Sequence, residues 1–128
     1  MNIRKRTVDS VVVISLDGQL DSHSAALIQD KVGRLLPAGG RVLLDFGKVA
    51  CVSGEGLRIM RLVYRHAQCL DCSVALVGIA PDLLNVLAAT GFLDFFLVAE
   101  TVPEALAALR GLAAREEETE DEQPALHA

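Results

Sequence analysis

The sequence lacks or is poor in residue types that mark several classes of protein. It has no tryptophan, aromatic residues make up only 4% of it, and its three cysteines are an odd number. An odd cysteine count argues against the disulfide framework of a small secreted protein. No apolar run reaches the roughly 18 residues that a membrane-spanning helix needs, and the basic N-terminus precedes no signal-peptide block. We therefore expect a cytoplasmic protein without direct membrane insertion.

The charge and the spacing of ligand-type residues exclude further classes. A formal net charge of −5 disfavours a nucleic-acid partner. Cys69 and Cys72 have C-x-x-C spacing, but no histidine lies at ligand spacing from them, so we interpret them as residues that close a helix. Paired carboxylates, a nucleophile–base set and a phosphate-binding loop of known spacing are all missing. The sequence thus predicts no catalytic residue, no metal, no cofactor and no enzyme activity.

Length and composition predict one domain followed by a tail. The chain has 128 residues, of which 52% are hydrophobic, enough for one core built mainly from Val, Leu, Ile and Ala. Six acidic residues fall between Glu116 and Glu122. Such a run repels itself and has little to bury. We expect a domain over residues 1–115 and an acidic disordered tail over 116–128, to which the sequence assigns no role.

The first third of the chain predicts a hairpin and a helix. Two β-rich runs are separated by the turn pair Asp9-Ser10. Asp17-Gly18 is expected to turn the chain out of the second strand, and Asp21 or Ser22 to be the N-cap of the helix that follows.

The remaining elements alternate between strand and helix. The strand at Val42–Leu44 is expected to stop at Asp45, and the helix after Ser53 to turn Leu57 and Met60 toward the sheet. The later elements are expected at Ser73–Val77 (strand), from Pro81 (helix), at Phe95–Val98 (strand) and from Thr101 (helix). This alternation predicts a largely parallel sheet of the α/β class, with the first hairpin as an antiparallel edge.

Five motifs, in this order, resemble the STAS domain family, which includes the bacterial anti-sigma-factor antagonists. They are Gly18-Gln19-Leu20-Asp21, Leu44-Asp45-Phe46, Val52-Ser53-Gly54-Glu55-Gly56-Leu57, Ala75–Pro81 and Thr90-Gly91-Phe92. The resemblance runs from about Ile3 to Leu112. It implies a single STAS-like α/β domain with a four- to five-stranded, mostly parallel sheet, an antiparallel edge hairpin and about four helices mainly on one face.

The same resemblance implies a non-enzymatic binding module in bacterial signalling. A family member of the antagonist type binds an anti-sigma factor that is also a serine kinase, and so controls transcription by partner switching. The kinase phosphorylates a serine at the start of the helix after the third strand, and a phosphatase reverses this. The family's second docking element, the loop before the first helix, matches Asp21 and Ser22.

This sequence departs from the family at the phosphoacceptor. The family pattern is Asp-Ser-Ser/Thr-Gly-Leu, in which the first serine is modified. Matching Gly56-Leu57 to the final pair places Ser53 at the aspartate, Gly54 at the phosphoacceptor and Glu55 at the second hydroxyl residue. Glycine has no hydroxyl, so regulation by phosphorylation at Gly54 is not expected, whereas the resemblance still implies the docking surface.

Three interpretations of the junction Ser53–Gly56 stay open at this point. Ser53 could be a phosphoacceptor displaced by one residue, since a helix N-terminus tolerates a phosphate. Glu55 could be a permanent partial mimic of phosphate, with one charge against roughly 1.5 to 2. Alternatively, Ser53 is an N-cap and Glu55 an early helical acid that pairs with Arg58.

Arg58, Arg61 and Arg65 form a stripe at helical spacing. It is either a solvated face or part of a surface for an acidic partner. A chain without a phosphoacceptor also fits a constitutive role, as a STAS subunit of a membrane transporter or as a component of a signalling scaffold. A homodimer stays open as well.

Overall fold

The fold begins with the expected hairpin. The computed structural model describes residues 1–89, 91 and 96–111. Strands β1 (Asn2–Val8) and β2 (Val11–Leu20) pair antiparallel, with Val8 opposite Val11. Asp9 and Ser10 have φ values of 51° and 67°, the left-handed conformations that a tight two-residue hairpin turn requires.

Three helices connect the remaining strands. The sheet contains five strands in the order β1-β2-β3-β4-β5, and every pair except β1–β2 is parallel. The other elements are β3 (Arg41–Val52), β4 (Ser73–Val77), β5 (Leu97–Ala99), α1 (Ala25–Leu35), α2 (Gly54–Cys69), α3 (Pro81–Ala89) and α4, which is helical over 102–111. This is the single STAS-like α/β fold that the resemblance implies.

Alternate residues of the central strands supply two hydrophobic cores. On one side of the sheet, called here the three-helix face, strand residues such as Ile14, Leu44 and Leu76 pack with α1, α2 and Leu87 of α3. On the opposite side, the α4 face, the buried residues are Val11, Val13, Leu43, Ala75, Val77, Ala105, Leu106 and Leu109. Of the helices in the described ranges, α4 is the one that covers the other face, so the helices lie mainly on one face, as expected.

The second strand does not end at Asp17-Gly18. It continues to Leu20, and the predicted turn is instead an irregularity, with register shifts between Ser15 and Asp17 and between Gly18 and Gln19. Gly18 has φ 136°, a conformation that L side chains rarely adopt. Pairing with β3 keeps the strand extended, which the local glycine signal does not reveal.

The third strand likewise continues beyond Asp45, where the sequence predicted its end. β4 pairs with β3 only as far as Asp45, whereas β2 pairs with it as far as Val52. Asp45 accepts a hydrogen bond from the Gly47 N–H at 2.9 Å. Gly78 directly follows β4 and has φ +74°. It lies so close to Gly47 that a Cβ added to Gly78 would be 2.8 Å from the Gly47 nitrogen. Gly47 and Gly78 thus allow close backbone contact between β3 and the residue after β4, just beyond the end of their pairing.

The later elements match the sequence signals with one shift. Pro81 begins α3, and Gly91 follows it at φ +73°. The hydroxyl of Thr101 accepts from the Glu104 N–H at 3.3 Å, which is half of the expected capping box. The last strand is Leu97–Ala99 rather than Phe95–Val98. Phe95, Leu112 and the predicted tail lie outside the described residues.

Candidate docking site at the carboxyl ends of β2 and β3

The ends of β2 and β3 are joined directly to the start of α2. The Ser53 N–H donates to the Leu20 carbonyl at 2.9 Å. Gly56, in the first turn of α2, is buried against the same carbonyl, so that a Cβ added to it would lie 2.3 Å from the Leu20 oxygen. Only a residue without a side chain allows this approach. The loop after β2 and the N-terminus of α2 therefore form one continuous surface.

The loop after β2 is held by hydrogen bonds of Asp21 and Ser24. The Asp21 carboxylate accepts from the N–H groups of His23 at 2.9 Å and Ser24 at 3.2 Å. The buried Ser24 hydroxyl donates to the Gln19 carbonyl at 2.6 Å, and Ser22 is exposed. These contacts fold the loop into a hydrogen-bonded turn with Ser22 at its surface.

The predicted N-cap of α1 is wrong by two or three residues. The helix begins at Ala25, and its N-cap is Ser24 rather than Asp21 or Ser22. Because Asp21 organises the turn before the cap, its carboxylate meets the same kind of N–H donors that an N-cap meets. This explains why the sequence signal was misplaced.

Ser53 is the N-cap of α2. Its hydroxyl accepts from the Gly56 N–H at 3.2 Å, and its carbonyl accepts from the Leu57 N–H at 2.9 Å. Its backbone is extended, as is usual for an N-cap. The residue is half-buried. This geometry agrees with the N-cap interpretation and leaves one lone pair of the hydroxyl engaged by the helix.

Gly54 is exposed and lies in open space. Apart from Gly54 itself, its two chain neighbours and the backbone of its own helix, no described heavy atom is within 4 Å of the position that its Cβ would take. Its φ lies outside the left-handed region, unlike that of Gly78. Neither packing nor backbone conformation therefore requires glycine at the position that matches the family's phosphoacceptor.

Glu55 pairs with Arg58 across the first turn of α2. The carboxylate and the guanidinium are 2.7 Å apart, and their side chains are 39% and 68% exposed. An exposed pair of this kind contributes little stability, about 0–1 kcal/mol. Its consequence is electrostatic, because the negative charge of Glu55 is offset by its neighbour. Arg61 and Arg65 continue the exposed basic stripe along the helix.

The packing face of α2 differs slightly from the predicted one. Met60 is buried as expected, but Leu57 is only half-buried, and Ile59 and Val63 occupy the centre of the face. Leu57 therefore lies at the side of α2 rather than at the centre of its buried face. The buried residues of that face are Gly56, Ile59, Met60, Val63 and Ala67.

Leu57 borders an apolar groove that the sequence did not reveal. The groove, of about 270 Å³, lies between the end of β3 and α3 and is also lined by Val49, Leu83 and Val86. Val86 is 44% exposed, unusually open for a large apolar side chain. In the part of the chain that the structure describes, no strand pairs with this edge of β3 beyond Asp45. The groove could have been predicted only from the unusual length of β3. The sequence does not show that length, because it depends on pairing with β2.

The cysteines show no arrangement for redox chemistry. Cys69 is the last residue of α2, and burial raises the pKa of the half-buried Cys72 thiol to about 11, which disfavours the reactive thiolate. No group of three or more His, Cys, Asp and Glu side chains among the described residues is placed to hold a metal ion. Within those same ranges, no helix is both long and apolar enough to cross a membrane.

The protein is an α/β domain whose sheet has one antiparallel pair, at its edge. The loop after β2 and the N-terminus of α2 form a continuous surface on it. The STAS domain family model matches residues 2–105. The chain belongs to the STAS domain family.

Several similar proteins are described as anti-sigma factor antagonists or as candidates for that role. BtrV of Bordetella bronchiseptica, described as a candidate anti-sigma factor antagonist, is 27% identical over 111 residues, covering 86% of this chain and 96% of its own. A solved structure of a candidate antagonist from Thermotoga maritima has a TM-score of 0.76 at 20% identity, covering 84% of this chain and 94% of that one.

The antagonist SpoIIAA, solved in its unphosphorylated form, has a TM-score of 0.69 at 22% identity, covering 86% of this chain and 97% of its own. The Bacillus SpoIIAA has also been solved in a phosphorylated form, with a TM-score of 0.64 at 21% identity. At these identities the solved structures establish the fold alone.

Proposed function

We propose that this protein is a non-enzymatic switch component that binds an anti-sigma factor of the serine-kinase type. Its docking surface consists of Asp21, Ser22 and the junction Ser53–Arg58, extended along α2 by Arg61 and Arg65. The observation that carries this proposal is the contact of Leu20 with Ser53 and Gly56, which makes two separate loops one surface. A partner can therefore contact both loops at once without ordering either, which lowers the entropic cost of binding.

The exposed arginines suggest the chemistry of the partner surface. Arg61 and Arg65 are exposed, and Arg58 is only partly neutralised by Glu55. Complementary charge increases the association rate and fixes the orientation of a partner. We infer an acidic patch on the partner beside the face that meets Ser53. This stripe lies on the same helix as the junction, so one partner surface would cover both.

Binding at this surface does not depend on modification at Gly54. The position has no hydroxyl, and the pairing of Glu55 with Arg58 makes a constitutive phosphate mimic a poor interpretation. Ser53 remains the candidate acceptor. In the unmodified protein the Ser53 hydroxyl accepts a hydrogen bond from the Gly56 N–H. After phosphorylation, the phosphate oxygens would accept hydrogen bonds from the same helix N-terminus in its place.

The test measures phosphate and binding in the same samples. Wild type, Ser53→Ala, Ser53→Asp and Gly54→Ser would be incubated with a serine-kinase-type anti-sigma factor from the same genome and ATP. Intact mass reports phosphate, and calorimetry without ATP reports affinity. We expect Ser53→Ala to bind like wild type and Ser53→Asp to bind at least tenfold more weakly, because added negative charge repels an acidic partner face. Since Gly54 lies in open space, Gly54→Ser fits without strain and should gain phosphate.

The outcomes separate the interpretations. Phosphate on the wild type but not on Ser53→Ala would identify Ser53 as a displaced acceptor. Phosphate on Gly54→Ser alone would show a binding site that has lost its regulation. If no variant binds such a kinase, the antagonist role fails. The missing hydroxyl then favours a constitutive role, as a transporter subunit or scaffold component, which co-purification with a permease or a scaffold assembly would show.

A further inference from the structure

Helix α4 carries the chain across the whole α4 face of the sheet. It starts after β5, at one edge, and its residues Ala105, Leu106 and Leu109 pack on the central strands. Near its end, Arg110 forms an ion pair with Asp9, which belongs to the turn between β1 and β2. The chain therefore leaves the described fold at the opposite edge, beside β1.

The strand at this edge is strongly basic. β1 contains Arg4, Lys5 and Arg6, all exposed, and among the described strands it pairs with β2 alone. Arg6 is opposite Val13 and Arg4 opposite Ser15, so both side chains lie on the α4 face, because directly paired residues share a face. Neither arginine forms an ion pair within the described ranges.

We propose that the acidic segment Glu116–Glu122 of this same chain binds the basic face of β1. Its six carboxylates would meet Arg4 and Arg6 on the α4 face, beside Lys5, whose pairing with Ile14 places it on the other face of the same edge strand. The sequence holds no other cluster of acidic residues of this density. The reach is sufficient. Residues 112–115 span up to about 14 Å when extended, and the return from Val8 to Arg4 along β1 is of similar length, roughly 14 Å.

Tethering makes this binding effective although each ion pair is weak. A short connection holds the segment at an effective concentration of about millimolar beside its site. The contact also shields a sheet edge, where unpaired N–H and C=O groups would otherwise be open to another strand. Arg6 and Arg4 lie opposite Val13 and Ser15 of β2, whereas the proposed docking surface begins after Leu20, about 17–23 Å further along the strand. The two proposals can therefore fail independently.

Carbodiimide cross-linking of the full chain tests this directly. The reagent joins a carboxylate to a nearby lysine amine as an amide with net loss of water, and the sequence has only three lysines, Lys5, Lys31 and Lys48. At about 20 mM salt and low protein concentration, we expect intramolecular links from residues 116–122 to Lys5 to exceed those to Lys31 and Lys48 several-fold. At about 1 M salt, where the screening length is about 3 Å, this excess should vanish.

Two matched variants locate the site. Arg4→Gln with Arg6→Gln keeps Lys5 in place but removes the two cations on the α4 face, and should lower the Lys5 links to the level of Lys31. Arg58→Gln with Arg61→Gln changes the other basic surface and should leave the Lys5 links unchanged. The proposal is overturned if Lys5 shows no excess in the wild type, if the excess survives Arg4→Gln with Arg6→Gln, or if the links form between two copies of the chain.

Discussion

At the scale of single residues, the two glycines that flank Glu55 have opposite requirements. Gly56 is buried with the Leu20 carbonyl where its side chain would be, whereas Gly54 faces open space. The sequence presents them as similar members of one short motif. Their difference depends on which neighbour β2 brings against the helix, and that neighbour is more than thirty residues away in the chain. No local pattern encodes it.

This difference predicts opposite effects of one added methyl group. Gly56→Ala should lower the free energy of unfolding by about 1–3 kcal/mol, since the helix must move away from the Leu20 carbonyl. Gly54→Ala should be neutral or stabilise by up to about 1 kcal/mol, because alanine has the higher helix propensity. Urea denaturation of both variants measures the pair. Equal effects of the two substitutions would show that the close approach at Gly56 does not constrain the junction.

At the scale of elements, local signals predicted what is local. The hairpin turn at Asp9-Ser10, the start of α3 at Pro81 and the cap at Thr101 are encoded by residues within a turn of each other, and the structure has each of them. The extension of β2 past Gly18 and of β3 past Asp45 was missed, because continued pairing between these two strands overrides a glycine or an aspartate.

The same distinction applies to the candidate site. Of the three interpretations that the sequence left open, the one with Ser53 as an N-cap and Glu55 paired with Arg58 agrees with the structure, and both features lie within one helical turn. The sequence did not predict that Leu20 closes the site, nor the groove beside Leu57, because these need the register of two distant strands.

The orientation of α2 gives a prediction for two neighbouring apolar residues. Ile59 is 3% exposed in the three-helix core, so Ile59→Ala should cost about 2–5 kcal/mol of unfolding free energy as a cavity. Leu57 is half-buried at the edge of the groove, and Leu57→Ala should cost less than about 2 kcal/mol, because part of its surface is already in water. Thermal and urea unfolding of both variants would compare them. A larger loss at Leu57 than at Ile59 would contradict the observed helix orientation.

At the scale of the whole molecule, the sheet has two cores of unequal construction. Three helices cover one face, while the other depends on α4 and its three buried residues Ala105, Leu106 and Leu109. The ion pair of Arg110 with Asp9 joins this helix to the first hairpin, but both side chains are 55% exposed, so the pair itself contributes only about 0–1 kcal/mol. Packing rather than charge therefore holds the end of the fold in place.

Two truncations test where the domain ends. A chain that stops after Arg115 keeps α4 over 102–111 and removes mainly acidic residues, so its thermal midpoint should stay within a few degrees of the full chain, because so polar a segment buries little apolar surface. A chain that stops after Glu100 exposes Val11, Val13, Leu43, Ala75 and Val77 to water. It should aggregate or lose cooperative unfolding, since an apolar sheet face of this kind is open to association. Calorimetry and size-exclusion chromatography of both truncations measure the thermal midpoint and the association state.

A drop of many degrees after removal of residues 116–128 would place the tail within the folded domain. A stable, monomeric chain ending at Glu100 would show that α4 is dispensable.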